Sequence, residues 1–402
     1  MHRAVVIGAS VAGVHAADAL RSCGFNGSVT LIGAETRLPY DRPPLSKGAL
    51  RDGPWDSEDY SELRPEEWYG AHDIDLRLGT RAVRLDPSRR VVILADGMEV
   101  AYDGLILATG SRARRLTGTR VSGADLHVLR TADDCAALHD RLVRHPGRGG
   151  SSGHLVVIGA GFIGLEVAAT ARQMGWDVAV VETAPVPLAR VLGDEVGAWF
   201  SSLHRANGVD IHCATAVTGI ESAGAEAMVH LRDGAVLQAD LVVAGVGSLP
   251  AVDWLAGSGL QVTDGVICDE YLRTSVPAVV AAGDIARWYN PLFDESLRIE
   301  QWTNAVEHGQ YAARSLLGLA DGPYADVPYF WSDQFSAKMR FVGRANAAER
   351  VRVQRSDDKS LVVLFGRDGV TSGALCINAT RELVTYRRAI ADRVAWGDVV
   401  AA

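Results

Sequence analysis

Two short stretches carry glycines at spacings that serve phosphate chemistry. Residues 5–13 read VVIGASVAG, with Gly8, Ala12 and Gly13 in place and Ser10 where a middle glycine is usual. Residues 156–164 read VVIGAGFIG and hold the complete set, Gly159, Gly161 and Gly164, with Phe162 and Ile163 between the last two glycines. In such a motif the first glycine permits a tight turn and the second lets the backbone approach a pyrophosphate. The third lets helix pack on strand, and the helix N-terminus offers N–H groups and a positive dipole end to the anion. Ser10 is small enough to permit that approach, and its hydroxyl can donate to a phosphate oxygen.

The elements that position these glycines recur as a repeat. Gly13 is followed by Ala17 and Gly24, and Gly164 by Ala168 and Gly175, at the same two spacings. Further on, DGMEVAYDGLILATG (96–110) parallels DGAVLQADLVVAGVG (233–247): an Asp-Gly hairpin turn, a short strand, an aspartate, then an apolar strand ending in small residues. Thr109 and Gly110 end the first copy and Gly247 the second. Each copy therefore reads as strand, glycine turn, helix and strand, then a β-meander and a closing strand. The expected fold is α/β, with two Rossmann-like dinucleotide-binding domains of the glutathione-reductase type and a C-terminal α+β domain.

The bulk numbers suit that fold. A chain of 402 residues with 42 glycines has room for two or three domains and many tight strand-to-helix turns. A formal charge of −9 argues against nucleic acid as a partner, since phosphate neutralisation needs a basic excess. The chain enters an apolar strand at once, without a basic leader or an apolar run long enough to span a bilayer, so no membrane partner and a cytoplasmic location are expected. The five cysteines are scattered with no C-x-x-C or metal-type spacing, so no metal is expected.

Two further features separate the copies. After the second strand of the first copy come Glu35 and then RLPYDRPPLSKG, a proline-rich segment absent from the second copy and suited to covering a bound cofactor. TSVPAVVAAGDIA (274–286) is an apolar strand ending in Gly-Asp, resembling the pattern with which two-dinucleotide flavoproteins return to their first domain, and its aspartate, Asp284, can accept from a ribityl hydroxyl. FAD is accordingly expected at the first copy. The second copy then takes NADH: its second strand ends at Glu182, where a carboxylate can bond a ribose diol and would repel a 2′-phosphate. Arg190 leaves NADPH open, because a nearby arginine can accommodate that phosphate.

LPYDRPPLSK, GFIGLEVAAT, TSVPAVVAAGD, EQWTNAVEHGQ and YFWSDQF together resemble the NADH-dependent ferredoxin reductases of bacterial oxygenase systems, over nearly the whole chain. The resemblance implies an FAD domain at 1–112 and 249–323, split around an NAD domain at 113–248, and an interface domain at 324–402. It implies that Lys47 lies beside the isoalloxazine and pairs with Glu166, and that Glu166 also meets the nicotinamide carboxamide. Arg42, Ala82, Arg130, Thr109 and Gly110 match family positions that contact FAD, and Trp302 and Trp331 match aromatics near the flavin. Gln301 and Ser336 depart from the family pattern, and at Ser336, where glycine is frequent, the loop conformation is in question. The glycine- and serine-rich 145–154 reads as a mobile loop.

The implied activity is reduction of FAD by NADH, followed by single-electron delivery to an iron–sulfur ferredoxin that serves a haem monooxygenase or a Rieske oxygenase. Hydride transfer needs stacking and orientation rather than a nucleophile. An NADH-linked redox sensor and an NADH oxidase are the alternatives. A disulfide reductase is disfavoured because RPPLSKG carries no cysteine. For docking an acidic ferredoxin the basic candidates are Arg112, Arg114, Arg115, Arg287, Arg298, Lys338, Arg340 and Arg344, in a monomer or weak dimer.

Overall fold

The computed structural model describes residues 1–402 except 124–125, 145–151, 224–225, 346–347, 358 and 402. Most of the expected mobile loop at 145–154 lies outside the described residues. The chain forms two compact units. One comprises Met1–Asp41, Ser61–Arg112 and Leu249–Phe330, and the other Arg42–Tyr60, Ala113–Ser248 and Trp331–Ala402.

The first unit is built on a five-stranded parallel sheet in the order Val279–Ala281, Gly104–Leu107, Arg3–Ile7, Ser28–Ile32, Ile74–Arg77. Its inner strands are apolar almost without interruption because both faces are covered, as all-parallel sheets require. Helix Val11–Ser22 packs on helix Trp302–Leu316, and the approach is close enough that a Cβ on Gly309 would lie 2.3 Å from the Ala12 carbonyl oxygen. The Asp-Gly turn reads as it folds: Gly97 has φ +86°, between the antiparallel strands Val91–Leu94 and Glu99–Ala101.

The second unit repeats the plan, with a parallel sheet in the order Leu126–His127, Leu241–Ala244, His154–Ile158, Asp177–Val181, Val209–His212. Its Asp-Gly turn has Gly234 at φ +92° between Glu226–Leu231 and Val236–Ala239. A five-stranded sheet follows in the order Tyr329–Gln334, Ala337–Gly343, Val370–Ile377, Leu361–Arg367, Arg350–Ser356, antiparallel in its paired registers. The α/β class with a C-terminal antiparallel domain is therefore the observed fold.

The segment Arg42–Tyr60 groups with the second fingerprint, whereas the sequence reading places it in the first domain and treats 324–402 as a third. The hydrogen bonds explain the grouping. The Ser46 carbonyl accepts from Thr170 Oγ1 at 2.8 Å, and the Leu50 carbonyl lies 2.9 Å from His139 Nδ1. At the Phe335-Ser336 turn it is Phe335 that takes the left-handed conformation, φ +51°, so the position of Ser336 makes no demand for glycine. Among the described residues no helix is long and apolar enough to cross a membrane.

Candidate dinucleotide sites

The first fingerprint lies between strand Arg3–Ile7 and helix Val11–Ser22. Gly8 turns the chain at φ +115°, and a Cβ there would lie 2.0 Å from the Ala108 carbonyl oxygen. A Cβ on Gly13 would lie 1.8 Å from the Gly8 carbonyl oxygen, so helix and turn meet backbone to backbone. Ser10 stands at the helix N-cap with extended backbone, φ −133°, and makes no side-chain capping bond. A serine meets no backbone obstacle in that conformation.

The other first-copy residues gather in the same unit. Glu35, half-buried after strand Ser28–Ile32, accepts from the Tyr40 hydroxyl at 2.6 Å. Asp284 accepts from Ser111 Oγ at 2.7 Å, and Thr109 Oγ1 donates to the Ala251 carbonyl at 3.0 Å. Gly110 is left-handed, φ +67°, and its carbonyl accepts from Ala251 N at 2.9 Å. Trp302 Nε1 donates to Asp41 at 2.7 Å, which fixes the indole at the start of its helix. Ala82 opens strand Ala82–Asp86. Gly283 N donates to His308 Nδ1 at 3.3 Å, and that imidazole is fully buried with ring edges against Trp288 and Tyr324. Burial pushes His308 down to about 3, so it is a neutral acceptor holding the Gly-Asp turn.

The second fingerprint has the same skeleton. Gly159 turns at φ +103° with a would-be Cβ 2.4 Å from the Gly245 carbonyl oxygen, and Gly164 stands with a would-be Cβ 2.1 Å from the Gly159 carbonyl oxygen. At Gly161 a Cβ would meet no heavy atom within 4 Å. That open cradle lies at the N-cap of the 12-residue helix Phe162–Gln173, and a helix N-terminus of this kind can take an anion. Phe162 is half-buried and Ile163 is 45% exposed on the first turn. Gly247 is left-handed at φ +99°, and its carbonyl accepts from Arg114 N.

Glu182 is 5% exposed and bound by its own surroundings: Ala160 N at 2.8 Å, Ala184 N at 2.9 Å and Thr183 Oγ1 at 3.0 Å. A carboxylate has about four acceptor sites, so these donors leave room for one more, such as a ribose hydroxyl. Arg190 is exposed on the turn Ala189–Leu192.

Within the second unit Lys47 Nζ lies 2.6 Å from Glu166 Oε2, and Glu166 is 3% exposed. The proline-rich segment makes this possible, because Pro43–Ser46 forms a single tight helical turn that delivers Ser46 and Lys47 together. Ser46 Oγ donates to Glu166 Oε2 at 2.5 Å, and Ser332 Oγ donates to Glu166 Oε1 at 2.5 Å. A buried carboxylate so surrounded is compensated by one cation and two hydroxyl protons. Arg42 Nη1 donates to the Arg130 carbonyl at 2.7 Å, so these two expected FAD contacts meet, and Trp331 opens the final segment of the same unit. Four residues that the resemblance assigns to FAD (Arg42, Lys47, Arg130 and Trp331) thus belong to the unit of the second fingerprint.

Sequence reading passed over Ser46 and Ser332, although both sit in quoted motifs, PPLSK and FWSDQ, next to residues that were singled out. Tyr40, Asp41, Ser111 and His308 were likewise missed as partners of Glu35, Trp302, Asp284 and Gly283. Several of the docking arginines have acidic neighbours. Arg298 is 11% exposed and bridges Asp264 and Glu300, Arg340 pairs with Asp333 at 2.6 Å, and Arg112 pairs with Asp253 at 3.1 Å. Of these three, Arg298 alone is largely withdrawn from the surface; the Arg112 pair is exposed and weak. Arg114, Arg115 and Lys338 are exposed.

All five cysteines are free, and burial raises the thiols of Cys135, Cys268 and Cys376 to about 12. None of these is a ready nucleophile. Among the described residues no cluster of His, Cys, Asp and Glu could hold a metal ion.

Comparison with known proteins places this geometry. Residues 2–309 match the family model described as pyridine nucleotide-disulphide oxidoreductase, and residues 329–402 match the one described as reductase C-terminal. The chain is 39% identical over 389 residues to the anthranilate 1,2-dioxygenase system ferredoxin–NAD(+) reductase component of Burkholderia cepacia, covering 96% of this chain and 93% of that one. It is 40% identical over 392 residues to rhodocoxin reductase of Rhodococcus erythropolis, covering 96% of this chain and 89% of that one. The reductase in the crystal structure of the covalent putidaredoxin reductase–putidaredoxin complex superposes with a TM-score of 0.91 at 33% identity, covering 100% of this chain and 96% of that one. With two fingerprints, the matching C-terminal sheet and relatives of this kind along its whole length, the chain belongs to the pyridine nucleotide-disulphide oxidoreductase family, among its oxygenase-system ferredoxin reductases.

Proposed function

We propose that this protein is an NADH-dependent ferredoxin reductase that holds FAD on the first fingerprint and NADH on the second, and passes electrons to an iron–sulfur ferredoxin serving an oxygenase. The observation that carries the reading is the Lys47–Glu166 pair, with its carboxylate buried, within the unit of the second fingerprint, in a segment without cysteine. A carboxylate with an acceptor site to spare suits the carboxamide N–H of a nicotinamide, and a lysine suits negative charge on a reduced flavin. When bound, the flavin supplies the conversion of a hydride into electrons released singly.

The chain's own residues bind and orient. Gly159, Gly161 and Gly164 bring backbone N–H groups to the pyrophosphate, Glu182 takes a ribose hydroxyl and excludes a 2′-phosphate, and Glu166 fixes the carboxamide. On the first copy Gly8, Ser10, Ala12 and Gly13 cradle the second pyrophosphate, while Glu35 and Asp284 accept from the ribose and ribityl hydroxyls. Trp302, Ala82, Thr109 and Gly110, in the same unit, complete the contacts of that copy. The deciding experiment is an anaerobic titration of the purified yellow protein with NADH and with NADPH. Bleaching by about one equivalent of NADH, and far weaker bleaching by NADPH, is expected. A flavin that NADH does not reduce, or a colourless protein that takes up no FAD, overturns the reading.

A further inference from the structure

Glu166 does not stand alone at the second fingerprint. Strand Tyr329–Gln334 alternates, so that Ser332 and Gln334 share its buried face while Asp333 points away to Arg340. Ser332 Oγ reaches Glu166 Oε1, and Gln334 Nε2 reaches Ser332 Oγ at 3.0 Å. Gln334 Oε1 lies 2.8 Å from Nε2 of His204, a fully buried residue on helix Asp194–Ala206. Phe335 closes edge-on over that imidazole at 5.1 Å.

The proton positions follow from satisfaction alone. At 2.5 Å from a carboxylate oxygen the Ser332 proton must lie between the two, so Ser332 Oγ needs a donor and the Gln334 amide must offer its NH2. The Gln334 oxygen then faces His204, which must carry its proton on Nε2. Burial pushes His204 down to about 4, which keeps it neutral, and its Nδ1 has no hydrogen-bond partner among the described residues. Every donor in the series therefore points one way, from His204 through Gln334 and Ser332 to Glu166. With Ser46 and Lys47 on the other oxygen, three of about four acceptor sites of Glu166 are filled.

We propose that Ser332, held by Gln334 and His204, is a positioning residue that fixes the Glu166 carboxylate so that its remaining acceptor site receives the nicotinamide carboxamide, and thereby sets affinity for the nicotinamide half of NADH. The inference rests on the reading of the second fingerprint as the NADH site. Neither Gln334 nor His204 touches the ligand. They act by keeping the Ser332 hydroxyl proton on Glu166 rather than letting it rotate.

The test measures the NADH Kd and the limiting rate of flavin reduction by anaerobic stopped flow, beside the Kd of ADP-ribose, which fills the fingerprint but lacks the nicotinamide. Ser332→Ala is expected to raise the NADH Kd about tenfold, with ADP-ribose affinity unchanged, and Ser332→Thr to restore most of the loss. Gln334→Met, which keeps the hydroxyl but removes its donor, is expected to raise it about threefold, and it decides the matter alone if Ser332→Ala does not fold. An unchanged NADH Kd in both variants, an equal loss of ADP-ribose affinity, or a Ser332→Thr variant as weak as Ser332→Ala overturns the proposal. Absence of flavin reduction in the unsubstituted protein would instead overturn the reading on which it rests.

Discussion

At the first fingerprint the glutamate that follows the second strand, Glu35, is half-buried and accepts from a phenol, Tyr40, five residues on. At the second, Glu182 is almost fully buried and accepts from two backbone N–H groups and the neighbouring threonine. The glycine skeletons are nearly superimposable in kind: first glycines at φ +115° and +103°, third glycines whose Cβ would strike the first glycine's carbonyl. A duplicated motif has thus kept its backbone demands and changed how its acidic residue is held. The first copy relies on its inserted proline-rich segment, and the second on its own turn. A cofactor meant to stay suits a glutamate held by a covering segment, whereas a substrate that must leave suits one held by the turn itself.

The sharpest way to break this comparison is to block one copy at a time. Gly13→Ala and Gly164→Ala each drive a Cβ against backbone, where nothing flexible can yield, and such overpacking costs about 1–3 kcal/mol or more. Gly13→Ala should yield protein that has lost its yellow colour. Gly164→Ala should stay yellow while NADH no longer bleaches it, although dithionite does. Visible absorbance alone distinguishes the two, and a Gly13→Ala protein that keeps its flavin but loses NADH would reverse the assignment.

Among the described residues each unit carries one buried neutral histidine, His308 in the first and His204 in the second, with folded values near 3 and 4. Both lie below the unfolded value of about 6.5, so the unfolded chain binds the proton first. Their contribution to stability is therefore fully present above about pH 6.5 and is lost as pH falls toward the folded values. Between pH 7 and pH 5 each should cost about 2 kcal/mol, read as a falling urea midpoint. His308→Gln should flatten the acid limb of flavin retention, and His204→Gln that of NADH binding; a single variant flattening both would show that the two histidines report one transition.

How much of this was legible beforehand depends on the range of the interaction. Glycine spacing, Asp-Gly turns and the apolar strands are local signals, and the repeat made them read twice, so the central strands of both sheets could be written from sequence, whereas Ile74–Arg77, Leu126–His127 and Val209–His212 were not. Ser46 and Ser332 could not, because a serine acquires a role only when a distant chain segment brings a carboxylate to it; Ser332 lies 166 residues from Glu166. The same holds for Arg298, which reads as a docking charge in sequence and proves to be occupied by Asp264 and Glu300. The grouping of Arg42–Tyr60 with the second unit likewise depends on Thr170 and His139, which no local pattern announces.

A smaller effect sharpens the contrast between the two glutamates. Glu182→Gln sets an amide NH2 against Ala160 N or Ala184 N, leaving a buried donor unpaired at a cost of about 1–3 kcal/mol. It also removes the charge that repels a 2′-phosphate, so the preference for NADH over NADPH should fall about tenfold. Glu35→Gln should cost less, because the Tyr40 hydroxyl can keep donating to the amide oxygen. Thermal midpoints of the two variants, with NADH and NADPH titrations beside them, check the ordering.

The smallest expected effect concerns the middle glycine position of the fingerprints, Ser10 against Gly161. Both residues have negative φ, −133° and −77°, and both cap a 12-residue helix, so neither backbone demands glycine. A Cβ at Gly161 would enter open space in the protein alone. Gly161→Ser should therefore leave the thermal midpoint almost unchanged, within about 0.5 kcal/mol. The difference should appear only with ligand, since the serine would occupy the path by which a pyrophosphate approaches the backbone, and NADH should bind a few-fold more weakly. Ser10→Gly should likewise be silent in the absence of FAD and weaken FAD retention slightly, through loss of one hydroxyl donor worth about 1 kcal/mol. If Gly161→Ser instead destabilised the unliganded protein, the middle glycine would serve the fold and not the ligand, and the open cradle could no longer be read as a phosphate site.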